Sequence, residues 1–166
     1  MTYLPATLIL QPIDPRDVEA RQLLRALDAE LLSRYPSESV YGLDPTELEG
    51  PRAIFLVARL GLQAVGCGGL RELNQTTAEL KRMFVRPEYR GQGIARHLLG
   101  ALERFAGQKG YHSIHLETGT RQPEALGLYE SRGYRFIPCF GDYADDPFSL
   151  CLEKAVAAGN PEASCH

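Results

Sequence analysis

The stretch that decides the fold is residues 78–99, which read AELKRMFVRPEYRGQGIARHLL. Its first part, from Glu79 to Val85, alternates charged and apolar residues, and this alternation predicts a β-strand. Pro87 then interrupts the strand, because proline has no backbone N–H for the next ladder hydrogen bond. From Ile94 onward, apolar residues recur at helical spacing. The sequence therefore predicts a strand, a glycine-rich turn and the start of a helix.

The turn at residues 90–95 has the composition of an anion-binding site. The N–H groups in the first turn of a helix have no helical partner and carry the positive end of the helix dipole. Gly91 and Gly93 let the backbone approach a diphosphate, because glycine has no Cβ atom in the way. We therefore expect a diphosphate to bind here, although a purely structural turn would have the same composition.

Three phosphate-binding patterns compete for this turn. A Walker loop is excluded, because no lysine follows Gly93. A dinucleotide-binding fingerprint needs a small residue where Arg96 stands, although Glu117 falls near the spacing of its ribose-binding acid. The third pattern, Arg/Gln-x-x-Gly-x-Gly/Ala, is matched by Arg90, Gly93 and Ala95.

Length and composition limit the other classes of function. We expect 166 residues to form one domain, and the formal charge of −3 argues against a broad nucleic-acid surface, which would be basic. The longest apolar runs fall short of the roughly 20 residues that a membrane span needs. The start of the chain, Met1 to Pro5, lacks the features of a signal peptide. We therefore expect no nucleic-acid or membrane partner.

The cysteines predict neither a metal site nor disulfides. Cys67, Cys139, Cys151 and Cys165 contain no C-x-x-C pair and have no histidine at zinc spacing. Cys67 and Cys151 lie in strand-like segments, where a free cysteine behaves as a small core residue. We therefore expect no metal, free thiols and a reducing, cytoplasmic location.

A second motif lies at residues 116–134, which read LETGTRQPEALGLYESRGY. Together with the turn at 90–95, it resembles the two signatures of the GNAT family of N-acetyltransferases, and the resemblance is to a small, single-domain bacterial-type member. In that family an acidic strand leads into Asn-Pro/x-x-Ala-x-x-Leu-Tyr-x-x-x-Gly-Phe/Tyr. Gln122 replaces the usual asparagine, and since both are amides we expect the same hydrogen-bonding role.

The order of expected elements is also the GNAT order. Strands are expected at 7–11, 54–59, 64–73, 79–85, 113–118, 134–138 and 148–154, and helices at 15–35, 45–50, 94–106 and 123–132. This β-α-α-β-β-β-α-β-α-β-β order predicts one α/β (α+β) domain over residues 1–155, with a mixed, mostly antiparallel sheet flanked by helices. We expect residues 156–166 to form a flexible tail.

The resemblance implies acetyl-CoA as the acyl donor. Main-chain groups of the loop would bind the diphosphate, with charge-assisted bonds from Arg90 and, unless it is only a solvated surface residue, Arg96. Backbone groups at the end of the preceding strand would bind the pantetheine arm. The implied cofactor-binding residues are Met83, Phe84, Val85, Arg90, Gly91, Gln92, Gly93, Ile94, Ala95, Arg96 and Gln122.

Three residues are candidates for proton transfer. The resemblance places Tyr129 near the thioester sulfur as the acid, although helical periodicity alone would make it a core aromatic. Glu117 and Glu79 both stand where family members carry a base. We prefer Glu117, because it lies within the better-matched motif, whereas Glu79 has the alternative of an ion pair with Arg71 or Arg52.

The acceptor pocket is expected in the least regular segments, residues 35–41 and 141–147. The carboxylates of Asp142, Asp145 and Asp146 would attract a cationic amine, unless this is only a solvated loop.

The predicted function is transfer of an acetyl group to a primary amine of a small molecule or amino-acid-like acceptor, by direct attack in a ternary complex. The alternatives are a peptide or protein N-terminal acetyltransferase, a non-catalytic acyl-CoA-binding regulatory domain and, less favoured, a nicotinamide-dependent oxidoreductase. Family members often dimerise, so a homodimer is left open.

Overall fold

The computed structural model of the chain describes residues 7–157. Within that range the α-helices are α1 (Val18–Leu32), α2 (Ile94–Gln108) and α3 (Pro123–Ser131). The strands are β1 (Leu8–Pro12), β2 (Ile54–Leu60), β3 (Gln63–Glu72), β4 (Thr77–Val85), β5 (Ser113–Gly119), β6 (Arg135–Ile137) and β7 (Ser149–Ala155). Short 3₁₀ turns lie at Ser37–Ser39, Pro45–Leu48, Pro87–Tyr89 and Gly141–Tyr143.

The strands form one sheet in the order β1-β2-β3-β4-β5-β7-β6. Neighbouring strands are antiparallel except β4 and β5, which run parallel. A parallel pair needs a crossover connection, and α2 supplies it between these two strands. The prediction of a mixed, mostly antiparallel sheet flanked by helices is confirmed.

Helices cover both faces of this sheet. α2 and α3 lie over a core that includes Leu98, Leu102 and Tyr129. α1 lies over a second core, to which it contributes Leu23 and Leu27. Burial on both faces explains why the central strands β2, β3 and β4 carry long runs of buried residues.

The two parallel strands stop pairing halfway along their length. The β4–β5 ladder begins with Thr77 opposite Ser113 and ends with Leu80 opposite Leu116. Both strands continue beyond that point, β4 to Val85 and β5 to Gly119, without pairing with each other. Their backbones therefore separate, and the sheet opens between them.

A β-bulge lies in β4 at the start of this opening. Cys67 pairs with Phe84 but Gly69 pairs with Lys81, so β4 carries one extra residue between these pairs. Arg82 occupies that stretch with a φ of 62°, a left-handed conformation that is uncommon for a residue other than glycine. The bulge changes which face each later side chain of β4 points to.

The first two predicted helices differ from the observed ones. α1 begins at Val18 rather than at Pro15, because Asp14 closes a turn by accepting hydrogen bonds from the N–H groups of Arg16 and Asp17. The predicted helix at 45–50 is only the 3₁₀ turn Pro45–Leu48. Its predicted N-cap is confirmed, since the Asp44 carboxylate accepts a hydrogen bond from the Thr46 N–H.

The prediction of free thiols is wrong for two of the four cysteines. Cys139 and Cys151 form a disulfide, because the antiparallel pairing of β6 with β7 brings residues 12 positions apart next to each other. Cys67 is buried and free, as predicted. Cys165 lies outside the described residues, as does most of the tail predicted at 156–166. The disulfide removes the thiol-based argument for a reducing compartment.

Among residues 7–157, none of the helices has the length and apolar character needed to cross a membrane.

Candidate active site

A cavity of about 350 Å³, here named the larger cavity, opens where β4 and β5 separate. Its walls are the end of β4, the loop at 90–95, the first turns of α2 and α3, and one side of α1. Every residue predicted to bind acetyl-CoA lines it except Gln92, whose side chain is exposed on the loop. The fold therefore brings residues from three segments that are predicted to bind acetyl-CoA to the same cavity.

The loop supplies main-chain N–H groups to this cavity. Gly91 and Gly93 have φ values of +81° and +82°, which L-amino acids adopt only with strain. Gly93 is the N-cap of α2, and no side chain caps the helix there. The first turn of α2 has no acidic residue to neutralise the helix dipole. The loop can accept an anion at this helix end.

Arg90 spans the larger cavity. Its Nε atom donates to the Val85 carbonyl at 2.9 Å, and its Nη2 atom donates to the two carboxylate oxygens of Glu30 at 2.9 and 3.0 Å. Glu30 belongs to α1, so this ion pair joins the loop to the opposite wall. Arg96 also lines the cavity and donates to the Ser131 hydroxyl at 3.1 Å. Both arginines lie where they can contact a bound phosphate.

A second cavity of about 90 Å³, here named the smaller cavity, lies on the other side of Tyr129. It is lined by residues from both segments predicted to hold the acceptor, including Tyr35, Tyr41 and Tyr143. The rings of Tyr41 and Tyr143 pack edge to face, with centroids 4.7 Å apart. The ring of Tyr35 packs in the same way on Phe148, at 6.0 Å. Aromatic side chains therefore form part of its walls.

The two cavities share a wall. The residues that line both are Leu27, Met83, Gln122, Ala125 and Tyr129. Gln122 is held by its Oε1 atom, which accepts a hydrogen bond from the Gly119 N–H at 3.1 Å. Its NH₂ group donates to none of the residues in the range 7–157, so its donors are free for a ligand.

Tyr129 is both a core aromatic and a cavity residue. Its side chain is on α3 with 6% of its surface exposed, and its ring packs against Tyr134 at 5.7 Å. Burial, and then the nearby charge of Glu117, raise the pKa of the Tyr129 hydroxyl above its usual value. No other residue between 7 and 157 accepts a hydrogen bond from this hydroxyl. It stays protonated and available as a donor.

Glu117 is the carboxyl group of the smaller cavity. It lines the cavity from β5, and one of its oxygens accepts a hydrogen bond from the Ser149 hydroxyl at 2.6 Å. Burial, assisted by the charges of Asp146 and Glu79, raises the pKa of Glu117 to about 7. A carboxyl group with this pKa can exchange a proton near neutral pH.

Glu79 has a different environment. Its side chain is 1% exposed and lines neither cavity. One oxygen accepts a hydrogen bond from the Nε–H of Arg71 and the other from the Tyr143 hydroxyl, both at 2.7 Å. Glu79 therefore anchors the aromatic wall through Tyr143 and forms the ion pair with Arg71 that the sequence offered as an alternative. Arg52 pairs with Glu72 instead.

The three aspartates of the acidic loop do not line the smaller cavity, although Tyr143 of the same loop does. Asp142 and Asp145 are exposed, and Asp146 accepts hydrogen bonds from the Tyr41 hydroxyl at 2.6 Å and the Phe148 N–H at 2.8 Å. The bond from Tyr41 is the main cause that lowers the pKa of Asp146. Asp146 thus holds the side chain of Tyr41, which lines the smaller cavity, in position.

Two cations of the smaller cavity, Lys81 and Arg82, were not among the predicted site residues. Strand alternation offered a signal for Lys81, because it lies two residues after Glu79 and on the same face of β4. For Arg82 the bulge breaks the alternation, so the pattern gave no signal. Among residues 7–157, no group of three or more His, Cys, Asp or Glu side chains is placed to hold a metal ion.

Known proteins share this sequence pattern. The Acetyltransferase (GNAT) family matches residues 20–134. IAA acetyltransferase from Azospirillum brasilense is 41% identical over 136 residues, covering 81% of this chain and 89% of that protein. Uncharacterized N-acetyltransferase YsnE from Bacillus subtilis (strain 168) is 33% identical over 145 residues, covering 84% of this chain and 96% of that one.

Solved structures share the fold. A candidate acyl-CoA N-acyltransferase from Klebsiella pneumoniae has a TM-score of 0.76 and 35% identity, covering 90% of this chain and 97% of that one. A GNAT family acetyltransferase from Elizabethkingia anophelis, with acetyl-CoA bound, has a TM-score of 0.64 and 20% identity, with 90% and 98% covered. The family match and the two relatives together establish that this chain belongs to the GNAT acetyltransferase family and is an acyltransferase.

Proposed function

We propose that the chain transfers an acetyl group from acetyl-CoA to the primary amine of a small molecule, by direct attack in a ternary complex. The observation that carries this proposal is the wall shared by the two cavities. A thioester at the inner end of the larger cavity and an amine in the smaller one would meet at Tyr129. Two substrates held in contact can react without a covalent enzyme intermediate.

The larger cavity fits a CoA ester. In our proposal, the main-chain N–H groups at Gly91, Gly93 and Ile94 bind the diphosphate, and Arg90 exchanges the Glu30 carboxylate for phosphate oxygens. The edge of β4 that faces β5 has no partner strand beyond Leu80, and it offers backbone groups to the amides of the pantetheine arm, next to Met83 and Phe84. The acetyl-CoA bound by the Elizabethkingia anophelis protein, which shares the fold, supports the choice of donor.

Glu117 is the proposed base. An amine is largely protonated at neutral pH and must lose a proton to attack the thioester carbon. Glu117 lines the smaller cavity, and its pKa of about 7 suits it to accept that proton. Glu79 is less suited, because each of its oxygens already accepts a hydrogen bond, from Arg71 and from Tyr143, and it lines neither cavity.

Tyr129 is the proposed donor to the sulfur. When the C–S bond of the tetrahedral intermediate breaks, negative charge develops on sulfur, and a buried hydroxyl can stabilise it with a hydrogen bond. The raised pKa of Tyr129 makes complete proton transfer to the thiolate unfavourable. The phenol therefore acts by donating a hydrogen bond, and the thiolate takes its final proton from water or from Glu117.

The smaller cavity favours a small acceptor. Its volume of about 90 Å³ and its aromatic walls leave room for a compact amine rather than for several peptide residues. The name of the Azospirillum brasilense relative, IAA acetyltransferase, supports a small-molecule acceptor.

A steady-state assay of thiol release from acetyl-CoA tests the proposal. The acceptor panel contains amino acids, simple primary amines, IAA and short peptides with free N-termini. We expect turnover with one class of small amine and little with peptides. Binding of acetyl-CoA without acceptor-dependent thiol release from any compound would reject the enzymatic function.

A further inference from the structure

Lys81 is a nearly buried cation with unused donors. Its side chain is 12% exposed and lines the smaller cavity from the same face of β4 that carries Glu79. Within residues 7–157 it makes no hydrogen bond. Its one ion-pair partner there is Glu47, whose Oε2 atom lies 3.6 Å from the ammonium nitrogen, beyond hydrogen-bond distance. All three N–H donors of the ammonium group are therefore without an acceptor among these residues.

Glu47 offsets the positive charge of Lys81 but does not accept a hydrogen bond from its N–H groups. The same Oε2 atom also lies 3.6 Å from the Arg71 Nε, so one carboxylate is divided between two cations. That oxygen is itself buried and accepts no hydrogen bond from any residue in the range 7–157. The Lys81 ammonium group is only partly exposed, and a carboxylate placed in the cavity would accept the charge-assisted hydrogen bonds that Glu47 does not.

Arg82 adds a second, fixed positive charge to the smaller cavity. Its guanidinium donates to Asp28 on α1 and to the Tyr41 carbonyl at 3.0 Å, and these bonds hold the side chain in place. Its buried Nε atom has no hydrogen-bond partner among the described residues. The charged side chains that line the cavity are thus two cations and one carboxyl group, Glu117.

We propose that the acceptor carries a carboxylate as well as its amine, and that Lys81 binds this carboxylate; the inference rests on the proposed acetyl transfer. The chemical class is a small amino acid whose ammonium end faces Glu117 and whose anionic end faces Lys81. The charges at the two ends of the cavity interact: burial raises the pKa of Glu117, and the positive charge of Lys81 lowers it. An N-terminal peptide residue lacks the free carboxylate, so it would not use Lys81.

The test compares acceptors that differ only in this group. Each of the twenty standard L-amino acids is assayed for thiol release beside its carboxamide, with wild type, Lys81→Met and Lys81→Arg. In wild type we expect the acid to exceed the amide in kcat/KM by about ten- to a hundredfold, mainly through KM, the range that a charge-assisted hydrogen bond supplies. Lys81→Met should equalise acid and amide, and Lys81→Arg should restore part of the preference.

Two controls keep the outcomes distinct. Lys109→Met removes an exposed lysine at the far end of α2 and should preserve the preference for acids. Equilibrium binding of the N-acetylated amino acid to the CoA complex should weaken in Lys81→Met, a readout that is independent of turnover. Equal use of acids and amides by wild type would overturn the role of Lys81 and leave the acetyltransferase intact. Absence of turnover with every acid, amide and amine would reject the acetyltransferase, and the inference with it.

Discussion

The two cavities of this protein are built from different parts of the chain. The larger one depends on main-chain atoms of the loop around Gly91 and Gly93, whose backbone conformation is set by local sequence. The smaller one depends on side chains from separated segments, among them Tyr41, Glu117 and Tyr143. Donor binding should therefore be sensitive to glycine replacement, whereas chemistry and acceptor choice should be sensitive to side-chain replacement.

The largest effect is expected from Gly93→Val. Valine at a φ of +82° is strained, and the rearranged loop would withdraw its N–H groups from the diphosphate. Binding of acetyl-CoA, measured by calorimetry, should weaken by about a thousandfold, as expected when several charge-assisted hydrogen bonds are lost.

Gly110→Val is the matched control for this substitution. Gly110 has a φ of +83° and nothing within 4 Å of an added Cβ atom, while at Gly93 the same atom would meet only the His97 ring at 3.8 Å, an ordinary contact; Gly110 lies at the other end of α2. Both variants should lose stability to a similar extent, and only Gly93→Val should lose acetyl-CoA. Equal binding by the two variants would contradict a main-chain donor site.

The next effect separates the two glutamates. Glu117→Gln keeps an acceptor for the Ser149 hydroxyl but removes the base, so kcat should fall by about a hundred- to a thousandfold. In wild type, kcat/KM should fall about tenfold per pH unit below pH 7, because Glu117 is then protonated and cannot accept a proton. The variant should lose this dependence.

Glu79→Gln should behave differently. It leaves the partly exposed guanidinium of Arg71 with a weaker partner, which should lower the free energy of unfolding by about 2 kcal/mol in a denaturant titration, as expected for a hydrogen bond to a charged group. The midpoint of its pH–rate profile should stay where it is in wild type. A flat profile in Glu79→Gln, with a normal one in Glu117→Gln, would move the base to Glu79.

Tyr129→Phe tests the wall between the cavities. Loss of one hydrogen-bond donor to the developing thiolate should reduce kcat by about ten- to a hundredfold, with acetyl-CoA affinity within a few-fold of wild type. The control is Tyr134→Phe. Tyr134 is buried against the Tyr129 ring, but its hydroxyl donates a hydrogen bond to the Glu103 carboxylate at 3.0 Å. Turnover in Tyr129→Phe equal to that of wild type would remove the hydroxyl from the mechanism.

The smallest effect is expected at the rim of the larger cavity. Glu30 holds Arg90 in a partly exposed ion pair, and such pairs contribute at most about 1 kcal/mol. Glu30→Gln should free Arg90 for phosphate and tighten acetyl-CoA binding by about two- to fivefold at low salt. Glu130→Gln, an equal change in charge at an exposed position of α3, should leave the affinity unchanged. Weaker binding in Glu30→Gln would mean that Arg90 needs its partner.

Local rules were enough to predict most of the larger cavity. The end of β4 before Pro87 and the start of α2 after Gly93 are determined by neighbouring residues, so the loop could be located without tertiary information. The motif also placed Tyr129 and Glu117. The structure then brought both to the smaller cavity, and Tyr129 to the larger one as well.

The rest depended on contacts between distant residues. The left-handed conformation of Arg82 follows from the register of β3 against β4. Arginine itself does not favour this conformation, so the residue type does not predict it. The engagement of Glu79 by Tyr143 joins residues 64 positions apart. The disulfide has no local signature, because Cys139 and Cys151 fit no short metal or redox motif and only the pairing of β6 with β7 brings them together.

The disulfide closes residues 139–151, which contribute to one wall of the smaller cavity, into a covalent ring. Residues 140–150 lie between Cys139 and Cys151, and they include Tyr143 and Phe148 of the aromatic wall and the partners of Tyr41 and Glu117. A single proteolytic cut within this ring would leave both ends attached to the sheet. One wall of the smaller cavity is thus protected by covalent topology, whereas the loop of the larger cavity depends on its backbone conformation alone.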